Sequence, residues 1–202
     1  MARTFNNEIF YQNVRILLAK KNKKIGELES NCEVHAGYMS RVLKADMKPS
    51  IDVIIKIANY FTVRVETLLF EELKKYTVTE LYILRFLDKV IRDTEDEKIH
   101  WKTALQIKDS FPVIANMFKD DLTNYYLQIS DTVFLVVRRK ESNNYTEAII
   151  AYDNGVTQDL CSKSDQLWKT IMELRNTAER SMQSPQISPA ARMVIDAFMS
   201  GE

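Results

Sequence analysis

The 202 residues, 46% of them hydrophobic, suffice for two domains, and they contain neither an apolar run of about 18 residues nor a glycine-rich phosphate motif. A formal net charge of zero argues against a uniformly basic nucleic-acid binder. Residues 1–70, however, carry 11 Lys and Arg against 7 Asp and Glu, a net charge of +4, and residues 71–202 carry 17 against 21, a net charge of −4.

This division of charge assigns different partners to the two parts of the chain. The first part has the sign that DNA attracts, whereas the acidic second part is better suited to protein contacts or ligand sensing. Cys32 and Cys161 are far apart in apolar surroundings, which predicts two reduced thiols in a cytoplasmic protein. The sequence MARTFNNEIF lacks a signal-peptide core, so we expect a protein that neither spans nor crosses a membrane.

The first segment, residues 1–72, predicts an all-α domain of five short helices. Apolar residues recur at helical spacing in Asn6–Lys21, in Ser50–Phe61 and in Val65–Phe70. Between them, Lys24–Pro49 has the same spacing with one break near Glu33, which predicts two short helices joined by a tight turn. An all-helical unit of this size is typical of DNA-binding modules.

Residues 73–202 predict a second, α+β domain. A capping-box pattern at Thr77–Glu80 begins a helix that runs to about Asp93. Two helices close the chain. Between the first helix and this closing pair, four stretches show the apolar alternation of strands, which predicts an antiparallel meander with helices covering one face. The closing helices are Ser164–Met182 and Pro189–Met199, the latter with Ser188 as N-cap, and the strands are Ile99–Ile107, Tyr125–Ile129, Val133–Arg139 and Tyr145–Tyr152.

The helical segment resembles the phage-repressor, or Xre/Cro-type, helix-turn-helix domains, especially those of regulators from low-GC Gram-positive bacteria. The resemblance covers about Asn6–Phe70 and implies a lambda-repressor-like fold that binds DNA. It is carried by Leu28, by Val34 at the turn, by Met39-Ser40-Arg41-Val42, by the Pro49-Ser50 joint, and by the segments IIKIANYF and VETLL.

Three positions depart from the family pattern. Glu29 stands where the family has a small residue, and Glu33 stands where it has the glycine of the turn. Ile25 replaces a glutamine that contacts a phosphate in many members. We therefore expect a slightly different turn and one phosphate contact fewer.

The resemblance implies a recognition helix at about Ala36–Lys44 and assigns roles within it. The base-reading positions are Ala36, Gly37 and Arg41, of which Arg41 can make a bidentate contact with guanine. The phosphate-contacting positions are His35, Tyr38, Ser40, Lys44 and Lys48.

Plainer roles remain open for several of these side chains. Tyr38 could cover the core, and His35 stands where the N-cap of the second helix belongs. Lys44 and Lys48 could form an ordinary solvated face. Cys32 is expected to be a small core residue rather than a redox switch.

These observations predict a sequence-specific transcriptional regulator, a repressor, that binds double-stranded DNA as a homodimer. Its acidic domain would supply the dimer interface, or a site for a small molecule, a peptide or a protein. We expect no cofactor and no metal site, because the sequence lacks paired histidine motifs. One alternative is an antitoxin-like regulator whose second domain binds a partner protein. The other is an enzyme that uses carboxylates such as Asp120, Asp121 or Asp153, which we weigh against because carboxylates in turns are usually turn chemistry.

Overall fold

Five helices occupy the N-terminal third of the chain. The computed structural model describes residues 6–44, 47–119, 123–139, 145–160, 166–183 and 189–200, except for the side chains at 189, 192, 196 and 200. Within the first two ranges the helices are α1 (Asn7–Lys21), α2 (Ile25–Asn31), α3 (Tyr38–Leu43), α4 (Ile51–Phe61) and α5 (Val65–Phe70).

Local caps set the ends of the two longest of these helices. The side chain of Asn6 accepts a hydrogen bond from the backbone of Glu8 at 2.9 Å and begins α1, and Ser50 begins α4 in the same way. Asn22 and Thr62 end α1 and α4 in the left-handed conformation, with φ of 51° and 58°. The boundaries of both helices therefore follow from residues within or beside them.

A buried asparagine fastens α1 to the end of α5. The Asn13 amide nitrogen donates to the carbonyls of Leu68 and Glu71 at 2.9 and 2.7 Å. Its oxygen accepts from the backbone of Leu73 at 3.1 Å. Because α5 has no further turn, this one side chain supplies donors for carbonyls at its C-terminus.

The remaining two thirds combine a short 3-10 helix (Leu73–Lys75) and five α-helices with an antiparallel sheet in the described ranges. The strands form a meander of order β1-β2-β3-β4. None of the described helices has the length and apolar character required to cross a membrane. The elements are α6 (Val78–Glu95), α7 (Ala104–Ile107), α8 (Pro112–Met117), β1 (Thr123–Ser130), β2 (Val133–Arg139), β3 (Thr146–Tyr152), β4 (Thr157–Asp159), α9 (Trp168–Gln183) and α10 (Pro189–Ser200).

Helices cover both faces of the sheet, whereas the sequence predicted only one covered face. Alternate strand residues bury on opposite faces, as the twofold repeat of a strand requires. One face packs with α9, which also packs against α6, and the other packs with α7 and α8. The face towards α9 buries Tyr125, Leu127, Leu135, Val137 and Ala148, and the face towards α8 buries Tyr126, Phe134, Val136, Ile149 and Ala151.

The predicted strand at Ile99–Ile107 is wrong. Lys102 makes a single bridge to Tyr126 of β1, after which the chain turns into α7. Gln106 reaches back to the backbone of Thr103 at 2.7 Å, which completes one side of a capping box. This local hydrogen bonding starts a helix where the apolar alternation alone indicated a strand.

Some sequence predictions fall on positions that the structure leaves undescribed. They are the helix start at Ser164, the N-cap Ser188, the thiol of Cys161, and the carboxylates of Asp120 and Asp121. Asp153 is exposed in the turn after β3.

Buried contacts continue across the predicted domain boundary at residues 72 and 73. One cluster of buried apolar side chains extends from α1 through Leu73 to α6 and α9. Beside it, the Arg64 guanidinium pairs with Asp88 of α6 at 3.0 Å and also with Glu173 of α9. A carboxylate oxygen of Asp88 also accepts from the backbone of Arg64, the N-cap of α5. The helical third is thus fastened to α6 and α9, and its independence as a domain stays a prediction.

Candidate nucleic-acid interface

The inner side of the segment from α2 to α3 is built from core residues. Four apolar side chains of this segment are fully buried: Leu28 in α2, Cys32 at the end of α2, and Met39 and Val42 in α3. Burial raises the pKa of the Cys32 thiol, which supports its role as a small core residue. These anchors hold α3 with a fixed side towards the protein.

The turn between α2 and α3 depends on Glu33. This residue has φ of 53°, the left-handed conformation that glycine adopts most easily. Its carboxylate pairs with Lys56 of α4 at 2.6 Å, and this hydrogen bond lowers the pKa of Glu33. Glu33 thus takes the left-handed conformation itself, and its carboxylate links this turn to α4.

Glu29 caps α3 from the neighbouring helix. Its side chain accepts from the backbone of Gly37 at 3.1 Å and from that of Met39 at 2.8 Å, and only 6% of the residue is exposed. The two backbone donors at the start of α3 are therefore occupied by a carboxylate rather than open to a phosphate. No sequence pattern indicated this role, because the cap comes from eight to ten positions earlier.

The helix is shorter than the predicted Ala36–Lys44. It spans Tyr38–Leu43, its N-cap is Gly37, and Lys44 is its C-cap. Gly37 has φ of 80°, so this glycine adopts the left-handed conformation of a turn and does not lie in the interior of a helix. The N-cap expectation for His35 is likewise wrong, although the His35 carbonyl accepts from Tyr38 at 3.0 Å in the same turn.

The structure gathers most of the predicted DNA-contacting residues around one side of α3. At 3.6 residues per turn, positions 40, 41 and 44 lie opposite the buried positions 39, 42 and 43. Tyr38 lies at the flank, half-buried and packed against the core, which supports its plainer role. The exposed members of the predicted set are His35, Ala36, Gly37, Arg41, Lys44 and Lys48, and Ser40 is half-buried.

Lys48 lies apart from this group along the chain. It is exposed in the segment that leads from α3 to α4, after positions 45 and 46, which are not described. Tyr11 of α1 fastens the same segment, because its hydroxyl donates to the carbonyl of Met47 at 3.2 Å. Arg15 of α1 similarly donates to the carbonyl of Leu43 at the end of α3, at 3.3 Å. The exposed cations around α3 are thus carried on a backbone that α1 holds in place.

Other lysines lie at the end of α1 and the start of α2. Lys23 pairs with Glu27 at 3.0 Å, and the backbone of Lys24, the N-cap of α2, donates to the same carboxylate at 2.9 Å. The Lys24 side chain is exposed. Ile25 is the first residue of α2, and its apolar side chain cannot hydrogen-bond to a phosphate.

The described residues contain no cluster of three or more histidine, cysteine, aspartate or glutamate side chains that could hold a metal ion. His100 is exposed beside Trp101, whose indole donates to the Thr94 hydroxyl at 3.0 Å inside the core. The tryptophan is therefore a packing residue.

Comparisons with known proteins leave the geometry as the basis for assigning function. No protein-family model, no curated protein and no solved structure matches the chain.

Proposed function

We propose that this chain is a sequence-specific DNA-binding transcriptional regulator, a repressor that inserts α3 into the major groove. The observation that carries the proposal is the two-sided character of α3. Met39, Val42 and Leu43 bury one side, and Arg41 and Lys44 stand exposed on the other. A short helix presented in this way, on a segment of net positive charge, has the features of a recognition helix.

Each exposed side chain takes a separate part in the proposed complex. Arg41 would bind the two acceptors of a guanine, a contact worth about 1–3 kcal/mol of discrimination. Lys44 and Lys48 would contact phosphates and fix the position of the helix without reading sequence. Ala36 and Gly37, exposed at the start of α3, would let the backbone approach a thymine methyl group closely.

The proposed regulator acts as a homodimer. A single short helix reads few base pairs, and two half-sites one helical turn apart multiply the discrimination. The C-terminal helix α10 supports this step, because its large apolar side chains are 46–84% exposed in the single chain. They are Met193, Val194, Ile195, Phe198 and Met199. Apolar exposure of this extent in one helix is typical of an interaction surface, and we assign it to a second copy.

Selection from a random DNA library tests the DNA-binding step. The wild type should enrich an inverted repeat, and Arg41→Ala should relax the preference at one symmetric position. Lys44→Ala should instead weaken binding to all sequences and reduce the dependence of affinity on salt. Arg180→Ala, which removes an exposed arginine of α9, is the charge-matched control and should select the wild-type motif. Failure of the wild type to enrich any motif at low or moderate salt would contradict the proposal.

Sedimentation velocity tests the dimer. The wild type should sediment as a dimer, and Phe198→Asp should shift it towards the monomer, because a charge on the apolar surface of α10 opposes its burial. Leu105→Asp removes an equally exposed apolar side chain of α7 and should leave the dimer intact.

A monomeric wild type would remove the dimer from the proposal. A stoichiometric complex with a different protein, lost in Phe198→Asp, would instead favour the antitoxin-like regulator, in which α10 binds that partner.

A further inference from the structure

A small apolar cavity lies where α1, the end of α4 and the start of α6 meet. Its volume is about 130 Å³. Leu17, Phe61 and Leu81, all buried, form its floor, and Val78 and Tyr82 form an exposed wall. An enclosed apolar cavity of about 150 Å³ accommodates benzene; this one is slightly smaller but opens to solvent beside Val78 and Tyr82, which suits a group of the size of a phenyl or branched alkyl side chain.

Three cations surround the cavity: Lys20 and Lys21 from α1, and Arg85 from α6. Lys21 and Arg85 are half-buried, and both donate to carbonyls at the end of α4, Lys21 to Tyr60 at 2.5 Å and Arg85 to Phe61 at 2.9 Å. These bonds fix the two charged groups next to each other. Each group retains further N–H donors, because an ammonium has three and a guanidinium has five.

Among the described residues, no carboxylate pairs with any of these three cations. Burial lowers the pKa of Lys21, and the charges of Arg85 and Lys23 lower it further. Cations elsewhere show the contrast, since Lys23 pairs with Glu27 and Lys56 pairs with Glu33. An anion bound at this rim would relieve the repulsion between Lys21 and Arg85.

We propose that this cavity binds an amphipathic carboxylate, whose apolar group of phenyl size fills the space above Leu17 and Phe61 and whose anion lies between Lys20, Lys21 and Arg85. The ligand needs both an apolar group and a negative charge, because the cavity has an apolar floor and a cationic rim. An inorganic anion would leave the floor empty, and a neutral apolar molecule would offer the three cations no negative charge. A free small carboxylic acid and the C-terminal residue of a peptide share this chemistry.

Isothermal titration calorimetry of the full chain with phenylacetate, in the absence of DNA, tests the site. Phenylacetate should bind in the millimolar range, and phenylacetamide, the neutral isostere, should bind at least about tenfold more weakly because it lacks the charge-assisted hydrogen bonds. Acetate, which lacks the ring, should also bind at least about tenfold more weakly.

Three variants localise the binding. Lys20→Gln and Arg85→Gln should each weaken phenylacetate binding by about tenfold, and Val78→Phe should abolish it by filling the mouth of the cavity. Lys108→Gln is the matched control, since it removes an exposed lysine that does not line the cavity, and it should bind as the wild type does. Lys20 and Val78 are exposed, so these two variants should fold normally.

N-acetyl-glycyl-phenylalanine and its C-terminal amide distinguish the two sources. Tighter binding of the free peptide acid than of phenylacetate would assign the site to a peptide C-terminus. Equal or weaker binding would assign it to a free small acid. Absence of saturable binding by either acid, equal binding of acid and amide, or binding unaffected by Lys20→Gln and Arg85→Gln would overturn the proposal. None of these results depends on DNA binding, so they test the ligand site independently of the proposed function as a regulator.

Discussion

Two arginines in different regions of this molecule have opposite surroundings. Arg41 of α3 is exposed to solvent, whereas the side chain of Arg64 is 11% exposed and pairs with two carboxylates from α6 and α9. Burial lowers the pKa of Arg64, but Glu173 and Asp88 outweigh it, so the net pKa is raised. A cation that is buried and paired holds elements together, and one left exposed remains available to a partner.

The largest expected effect comes from breaking the buried pair. Arg64→Ala leaves the Asp88 carboxylate, which has no exposed side-chain area, without its guanidinium, and should lower the free energy of unfolding by about 3–5 kcal/mol. Urea denaturation followed by circular dichroism measures this change.

Two further variants show whether the loss comes from an uncompensated buried charge. Glu173→Gln removes a half-exposed partner and should cost less than about 1 kcal/mol. The double variant Arg64→Met with Asp88→Leu should recover part of the stability lost in Arg64→Ala, because it buries no unpaired charge. A loss below about 1 kcal/mol for Arg64→Ala would contradict an uncompensated buried charge at Asp88.

The cap on α3 should give the next largest effect. Glu29→Ala leaves the backbone donors of Gly37 and Met39 without their acceptor and should cost about 1–2 kcal/mol of stability. Glu29→Gln keeps one oxygen acceptor and should cost less. Both values come from the same denaturation experiment, and equal losses for the two variants would show that packing of the side chain, not capping, accounts for the effect.

Substitutions of Glu33, the left-handed residue of the turn, should give a smaller difference in stability. Glu33→Gly and Glu33→Ala both remove the exposed ion pair with Lys56, but only glycine adopts φ of 53° without strain. Glu33→Gly should therefore be about 1 kcal/mol more stable than Glu33→Ala. Equal stability of the two variants would contradict the left-handed turn.

The pH dependence of Glu33→Gln isolates the ion pair itself. The hydrogen bond with Lys56 lowers the pKa of Glu33, so the stability contributed by Glu33 is present above the ordinary pKa of a glutamate. It is lost as the pH falls through the lowered pKa. The melting temperature of Glu33→Gln should thus fall slightly below that of the wild type at neutral pH, and the difference should vanish in acid.

Sequence patterns predicted the elements whose signals are local. The helical spacing of apolar residues located α1 and α4 to within one residue. The three-residue strand β4, with no buried side chain, carries no alternation long enough to detect. At Ile99–Ile107, the hydrogen bonds of Thr103 and Gln106 outweighed the apolar alternation.

Contacts between distant positions could not be predicted from spacing. Glu29 caps a helix that begins nine positions later, and Arg64 pairs with Asp88 across 24 positions and with Glu173 across 109. No periodicity relates such residues, because their meeting depends on how whole elements pack. The exposed surface of α3 was predictable since its buried and exposed positions follow the 3.6-residue repeat of one helix.

The smallest effect on stability is expected at the proposed interface. Arg41→Ala should change the free energy of unfolding by less than about 0.5 kcal/mol, because an exposed side chain of this kind contributes little to the folded state. The same variant should lose discrimination at one base pair of each half-site, which competition binding with single-base variants of the selected site measures. A variant that loses both stability and DNA binding would place Arg41 with Arg64 among the structural cations. Loss of base discrimination in a chain that unfolds at the wild-type urea concentration would assign Arg41 to the recognition of DNA alone.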